Sequence, residues 1–263
     1  MLEQIILGIT QGIAEWLPVS SEGLIFLIKA NFFPSGDFAD IARLALWLHG
    51  GTFLAALVYF RKEVGRLVRA LINFKKAATE TQLILKFLII TTFISGLIGL
   101  VFYFGINALA ANLELGGKTI TAAVGCLLLI TAVLQLKSPG HGYRQATDLK
   151  LSDGILLGLA QGLAALPGLS RSGLTVSTLL LKKFDKQLAL KLSFLMSLPI
   201  VFLGNIVLNF GESFINLAGL AALAAAFIFG LLTIKILMRL AEKINFGIFV
   251  LIFALLTFIS LAI

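Results

Sequence analysis

The segment Gln11-Gly12-Ile13-Ala14-Glu15-Trp16-Leu17-Pro18-Val19-Ser20-Ser21-Glu22-Gly23 interrupts an otherwise apolar stretch with two carboxylates, an amide, two hydroxyls, a proline and glycines. Ionisable groups at bilayer depth are costly and mark functional sites. A helix broken at that depth is tolerated only where it is buried in protein or lines a cavity. Residues 5–17 predict an apolar helix too short for a hydrocarbon core, which takes about 20 residues to cross. Pro18 ends it, and Ser20-Ser21 start a second piece over 22–31. Two half-length helices meeting at a polar break predict a re-entrant hairpin in preference to one kinked span. The break itself predicts half of an active site.

Composition supports this reading. The chain is 59% hydrophobic and 13% charged, with a mean hydropathy of +1.03. A soluble domain is about 45–50% apolar and about 25% charged. The apolar runs are long and continuous, which excludes the alternating short strands of an outer-membrane barrel. The net charge of +8 resides in short loops, where it sets topology and meets anionic lipid, so no nucleic-acid partner is expected. Cys126 is the single cysteine, so no intrachain disulfide can form. The beginning, Met1-Leu2-Glu3-Gln4, lacks a basic region, and no cleavable signal is expected.

Full spans are predicted at about 42–60, 83–104, 119–136, 192–210, 214–237 and 244–263. A second broken segment, 154–181, is interrupted at Pro167-Gly168-Leu169-Ser170-Arg171-Ser172-Gly173. Loops 61–82, 137–152, 182–191 and 235–243 are rich in Lys and Arg and are predicted cytoplasmic. Loops 31–41, 105–118 and 210–214 are poor in them and are predicted outside. The assignment closes if the first broken segment dips in from outside and the second from the cytoplasm, which leaves both termini outside. The predicted fold is an all-α membrane protein of six transmembrane helices plus two re-entrant helical hairpins, in one integral-membrane domain, 1–263.

An offset of 150 relates its halves, about 1–136 and 150–263. Gly8-Ile9-Thr10-Gln11-Gly12-Ile13-Ala14 aligns with Gly158-Leu159-Ala160-Gln161-Gly162-Leu163-Ala164, and Ser20, Gly23 and Leu24 align with Ser170, Gly173 and Leu174. Chance likeness of Gly- and Ala-rich helices accounts poorly for shared Gln-Gly and Ser-x-x-Gly at matching places. Inverted repeats built on broken helices put the site at their interface near midplane.

Each break precedes a helix start, whose free N–H groups and positive dipole favour phosphate. Ser20, Ser21, Ser170 and Ser172 either cap those helices or donate to phosphate. Gln161 and Gly173 belong to the second half of the same site. Arg171 needs a partner at membrane depth, either Glu15 or Glu22 or a bidentate phosphate. Gln11 and Glu15, at i and i+4, share a helix face that could hold a divalent cation through oxygens or position a water or hydroxyl. Glu22 near a helix start also satisfies the helix dipole. His49 reads first as a satisfied buried imidazole, and it is the intramembrane histidine available for proton transfer. His141 lies in a Gly-rich loop.

These motifs resemble the undecaprenyl-diphosphate phosphatases of the bacitracin-resistance type. Gln161 to Thr175 is similar to that family's Pro-Gly-x-Ser-Arg-Ser-Gly-x-Thr, and the first break to its stretch ending in Pro-x-Ser-Ser-x-Gly. Phe194-Leu195 with Pro199, and His49-Gly50-Gly51-Thr52 with Tyr59-Phe60-Arg61, extend the resemblance over nearly the whole chain. The resemblance implies hydrolysis of a polyprenyl diphosphate to the monophosphate carrier used in envelope glycan assembly. It also implies a multi-pass plasma-membrane location with the site opening to the outer face, and Mg²⁺ or Ca²⁺ dependence, with Glu15 as a metal ligand. By motif position Glu15, Ser21 and Arg171 would be catalytic, with Gln11, Ser20, Glu22, Gln161, Ser170, Ser172 and Gly173 binding substrate. Partners would be the lipid diphosphate and membrane lipids, and a homodimer is left open. Gln11 stands where members commonly carry glutamate, and Leu24 where they commonly carry histidine, which marks a divergent, archaeal-type branch. There a dolichyl carrier is as open as an undecaprenyl one, and Glu22 is a candidate replacement base. A transporter or flippase of polyprenyl phosphate, working without hydrolysis, is the alternative from another class.

Overall fold

The computed structural model describes residues 1–33, 38–110, 117–138, 142–166, 168–209, 214–240 and 246–259. Their regular structure is helical: α1 Leu2–Ala14, α2 Ser21–Phe32, α3 Phe38–Tyr59, α4 Arg61–Ile72, α5 Thr79–Ala110, α6 Gly117–Lys137, α7 Leu151–Leu163, α8 Arg171–Leu181, α9 Lys186–Leu208, α10 Leu217–Leu240 and α11 Phe246–Ile259. An isolated bridge joins Arg144 and Phe184. Five helices are long and apolar enough to cross a bilayer, at 39–59, 79–105, 118–137, 186–208 and 217–240. The chain is therefore an all-α, multi-pass membrane protein. The sixth expected span corresponds to α11, whose described part has 14 residues.

The two broken segments appear as half-length pairs. α1 and α2 have 13 and 12 residues, and α7 and α8 have 13 and 11. At 1.5 Å per residue, none reaches the roughly 30 Å of a hydrocarbon core. α1 lies three residues earlier than the sequence predicts and ends before Glu15, while α2 is one residue longer at each end than predicted. Pro167 and His141 lie outside the described residues.

Glycines decide how these short helices pack. A Cβ on Gly8 would stand 2.2 Å from the Ala222 carbonyl oxygen, and one on Gly12 2.8 Å from that of Ala226, so α1 presses backbone to backbone on α10. Gly158 and Gly162 set α7 against α5 in the same manner, where added Cβ atoms would meet Ile94 at 2.7 Å and Ile98 at 2.6 Å. The other side of α5 carries the exposed Ile89, Phe93, Leu97 and Val101. Their i, i+4 spacing makes a continuous lipid-facing stripe.

Ion pairs clip the far ends of both half-length pairs. Glu3, in the first turn of α1, meets Lys29 of α2 at 2.7 Å. Asp153, in the first turn of α7, meets Arg144 at 2.7 Å and Lys182, just past α8, at 3.5 Å. The Arg144 guanidinium also lies over the Phe184 ring at 4.0 Å.

The predicted basic loop 61–82 is a correction. Much of it folds as α4, with Val64 and Leu67 against the core and Ala70 buried. Its apolar residues recur at helical spacing, so burying one stripe outweighs the local charge density. Of the predicted outer loop 105–118, residues 111–116 lie outside the described residues, and its edges extend α5 and α6.

Candidate active site

Each break is held by its own caps. Glu15 follows the last turn of α1, its N–H donating to the Gln11 carbonyl. Trp16 then anchors the turn, its indole donating to the Gly230 carbonyl at 2.9 Å while its ring meets Phe194 edge-on at 5.0 Å. Ser20 caps α2 by accepting the Gly23 N–H at 3.0 Å, and Ser170 caps α8 by accepting the Gly173 N–H at 3.1 Å. The cap geometry repeats at the 150-residue offset.

The breaks are also stitched to each other. The Ser20 hydroxyl accepts the Gly168 N–H at 3.1 Å, and the Ser172 hydroxyl donates to the Leu17 carbonyl at 2.8 Å. Gly168 has φ of +108°, a conformation open to glycine. A Cβ there would also lie 3.0 Å from the Val124 Cα.

Glu15 is the hub of the junction. It is 6% exposed. Its Oε2 accepts from Gln11 Nε2 at 2.8 Å and from Ser21 Oγ at 2.8 Å, and lies 3.1 Å from His49 Nε2. Its Oε1 pairs with the Arg171 guanidinium. The other arm of Arg171 donates to the Ser193 carbonyl at 3.0 Å. His49 Nδ1 lies 2.7 Å from the Ala45 carbonyl. Both ring nitrogens thus face oxygen acceptors, and the imidazolium form donates to both.

Above this hub is a small polar cup. Glu15, Ser20, Ser21, Glu22, Ser170, Arg171 and Ser172 line it, and so does His49. Residues at the starts of α2 and α8 line it, and helix starts carry N–H groups without intrahelical partners. The cup shares Glu22, His49, Ala164 and Arg171 with an apolar groove of about 370 Å³ running between α3, α5 and α9. Leu46, Gly96, Gly99, Ile200, Val201 and Gly204 form its walls, and Tyr103 and Leu208 lie toward the α3 start and α9 end. A charged head and a long apolar tail would each find matching surroundings.

Three expected site residues stand elsewhere. Gln11 supports Glu15 from one turn below the cup. Gln161 lines the apolar groove and donates to Ser95 Oγ at 3.0 Å. Gly173 is a packing residue, because a Cβ there would meet Thr131 Cγ2 at 2.5 Å. Leu24 packs among Ala14, Val19, Val124 and Leu128 and does not line the cup. His49, which the sequence reads first as a satisfied buried imidazole and also as the histidine available for proton transfer, joins the cup. Its signal was available, since a histidine inside a span demands a polar partner, but the identity of that partner was not.

The residues do not fit a resident divalent cation. Mg²⁺ and Ca²⁺ sites are assembled from carboxylates and other oxygens. The Glu15 oxygens are already taken up by Arg171, His49, Gln11 and Ser21, so the expected metal-ligand role of Glu15 is not supported by its surroundings. Glu22 is then the one remaining carboxylate of the cup, which it lines together with His49 and Arg171. Among the described residues no cluster of three His, Cys, Asp or Glu side chains could hold a metal.

Comparison with known proteins bears directly on this arrangement. A family model described as bacitracin resistance protein BacA matches residues 4–259. The chain is similar to an undecaprenyl-diphosphatase of Methanococcoides burtonii, 39% identical over 251 residues that cover 94% of this chain and 93% of the relative. It is similar to proteins of the same name from Haloarcula marismortui, 37% identical over 94% of this chain and 92% of the relative, and from Methanothrix thermoacetophila, 35% identical over 94% and 91%.

Proposed function

The chain belongs to the bacitracin resistance protein BacA family, and from that membership we propose that it is an integral-membrane undecaprenyl-diphosphatase. It hydrolyses a polyprenyl diphosphate to the monophosphate carrier and inorganic phosphate. The observation that carries the reading is the meeting of Glu15, Ser21 and Arg171 at the mouth of an apolar groove.

In this reading the prenyl chain lies in the groove and the diphosphate enters the cup. Arg171 turns from Glu15 to the phosphoryl oxygens, with the N–H groups at the starts of α2 and α8 around it. Fixed donors aimed at developing charge are a large source of phosphoryl-transfer catalysis. Glu15, relieved of Arg171, takes the proton of Ser21, whose hydroxyl already donates to it at 2.8 Å. A nucleophile bonded to its base is the signature of covalent catalysis. Any Mg²⁺ or Ca²⁺ requirement would reside in the diphosphate and not in a protein cage.

The fold reading goes with it: six spans, two re-entrant hairpins and an inverted repeat of halves 1–136 and 150–263. Supporting it are the matched glycines of α1 and α7, the matched caps of α2 and α8, and the exchange of partners, α1 on α10 and α7 on α5. The groove runs toward Ala42, Tyr103 and Leu208, beside the loops poor in Lys and Arg. By the positive-inside rule that end is external, so substrate is taken from the outer leaflet and both termini lie outside.

The test is phosphate release by the purified protein from undecaprenyl and dolichyl diphosphates in detergent or nanodiscs, across pH and with added Mg²⁺ or Ca²⁺. Release that Arg171→Ala abolishes supports the reading. Absence of release under every condition, with tight binding of a polyprenyl phosphate retained, would overturn it in favour of a carrier.

A further inference from the structure

We propose that His49 is a catalytic residue of this protein, serving as acid in the first half of the reaction and as base in the second. The inference deepens the diphosphatase reading and rests on it. His49 stands where the polar cup opens into the apolar groove, and its side chain lines both. A bound lipid diphosphate has its bridging oxygen at that border, between the phosphoryl group in the cup and the prenyl phosphate toward the groove.

The ring is oriented for one-atom proton delivery. The Ala45 carbonyl, 2.7 Å from Nδ1, comes from the same helix one turn earlier and holds a proton on that nitrogen. Nε2 is then the nitrogen that gives and takes, and it lies 3.1 Å from Glu15 Oε2. This bond to the general base places His49 and Ser21 on the same carboxylate oxygen. The charged and titratable groups facing the ring are Glu15 after α1, Glu22 on α2, Arg171 on α8 and Tyr103 across the groove on α5. The described residues of α9 and α10 add no charged side chain to either lining.

The chemistry balances with these groups alone. Ser21 Oγ forms a bond to the terminal phosphorus as the bridging P–O bond breaks. The Ser21 proton passes to Glu15, and the departing phosphate oxygen takes the Nε2 proton of His49. Water then attacks the phosphoserine, its proton passes to the now neutral Nε2, and the P–Oγ bond breaks. Ser21 recovers its proton from Glu15, and both side chains return to their starting states. One lipid diphosphate and one water give one lipid monophosphate and one inorganic phosphate.

The experiment compares wild type with His49→Gln and His49→Ala, using the full chain in nanodiscs with undecaprenyl diphosphate. His49→Gln is expected to lower kcat by about 10²-fold or more, with KM little changed, and to lose the alkaline limb of the rate–pH profile. That limb marks loss of the proton His49 must donate. For His49→Ala, added imidazole is expected to restore turnover in proportion to its protonated fraction. Wild-type turnover in His49→Gln, or an alkaline limb that survives the substitution, overturns the proposal while leaving the phosphatase reading intact. A His49→Ala protein that imidazole leaves inactive, with a lowered melting temperature, shows a structural role and also overturns it. No phosphate release by wild type overturns the phosphatase reading itself.

Discussion

Ser20 and Gly168 are 148 positions apart, yet the hydroxyl of one accepts the backbone N–H of the other at 3.1 Å. The residue that caps α2 therefore also fixes the turn that introduces Arg171. Ser20 Oγ thus ties the two breaks together, alongside the Ser172–Leu17 bond.

Ser20→Ala is expected to lose both bonds. The cap contributes about 1–2 kcal/mol, and a buried N–H left without an acceptor costs about 1–3 kcal/mol. Denaturation in detergent should show this protein less stable than wild type, with catalytic activity reduced as well. Ser20→Thr, which keeps the oxygen, should recover most of both. An Ala variant as stable as wild type would show that the breaks hold their spacing without this bond.

Glu15→Gln and Glu22→Gln should separate sharply. Ser21 donates to Glu15 and makes no described bond to Glu22, so the candidate base role of Glu22 loses its geometric support. Phosphate release should fall by about 10³-fold in Glu15→Gln, within the range for a positioned base, and stay near wild type in Glu22→Gln. The reverse ranking would return the base role to Glu22.

Gly99 faces the groove with its nearest neighbour, Ala165 Cβ, 4.0 Å from an added Cβ. Gly99→Leu should fold normally and fill part of the groove. KM for a long-chain diphosphate should rise by about tenfold or more, while a short-chain prenyl diphosphate is little affected. Equal effects on both substrates would mean that the prenyl tail lies elsewhere.

Substrate-free protein should show no saturable Ca²⁺ or Mg²⁺ site by calorimetric titration, because the Glu15 oxygens are already committed. A site that titrates in wild type and vanishes in Glu15→Gln would restore Glu15 as a metal ligand.

Much was legible in the chain itself. Long apolar runs cannot be solvated in water, so a multi-pass helical membrane protein follows from composition. Polar groups and prolines inside such runs cannot face lipid, so Gln11–Gly23 and Gln161–Gly173 had to be interior breaks. Their spacing by 150 marked them as related, and the caps at Ser20 and Ser170 follow from their sequences. The folded α4 escaped a reading by charge, because its apolar stripe emerges only at helical spacing.

Tertiary structure alone decided the partners. A sequence states that Arg171 must be neutralised but not whether Glu15 or Glu22 does it. The choice falls to Glu15 because the Ser20–Gly168 and Ser172–Leu17 bonds bring the end of α1 against the start of α8. His49 joins them because Gly51 packs α3 on α10, to which the glycines of α1 also bind. Leu24 leaves the cup for the same kind of reason, since the rotation of α2 turns it to the apolar contact with α6. Residue type fixes what a side chain needs, and packing of distant helices fixes which neighbour supplies it.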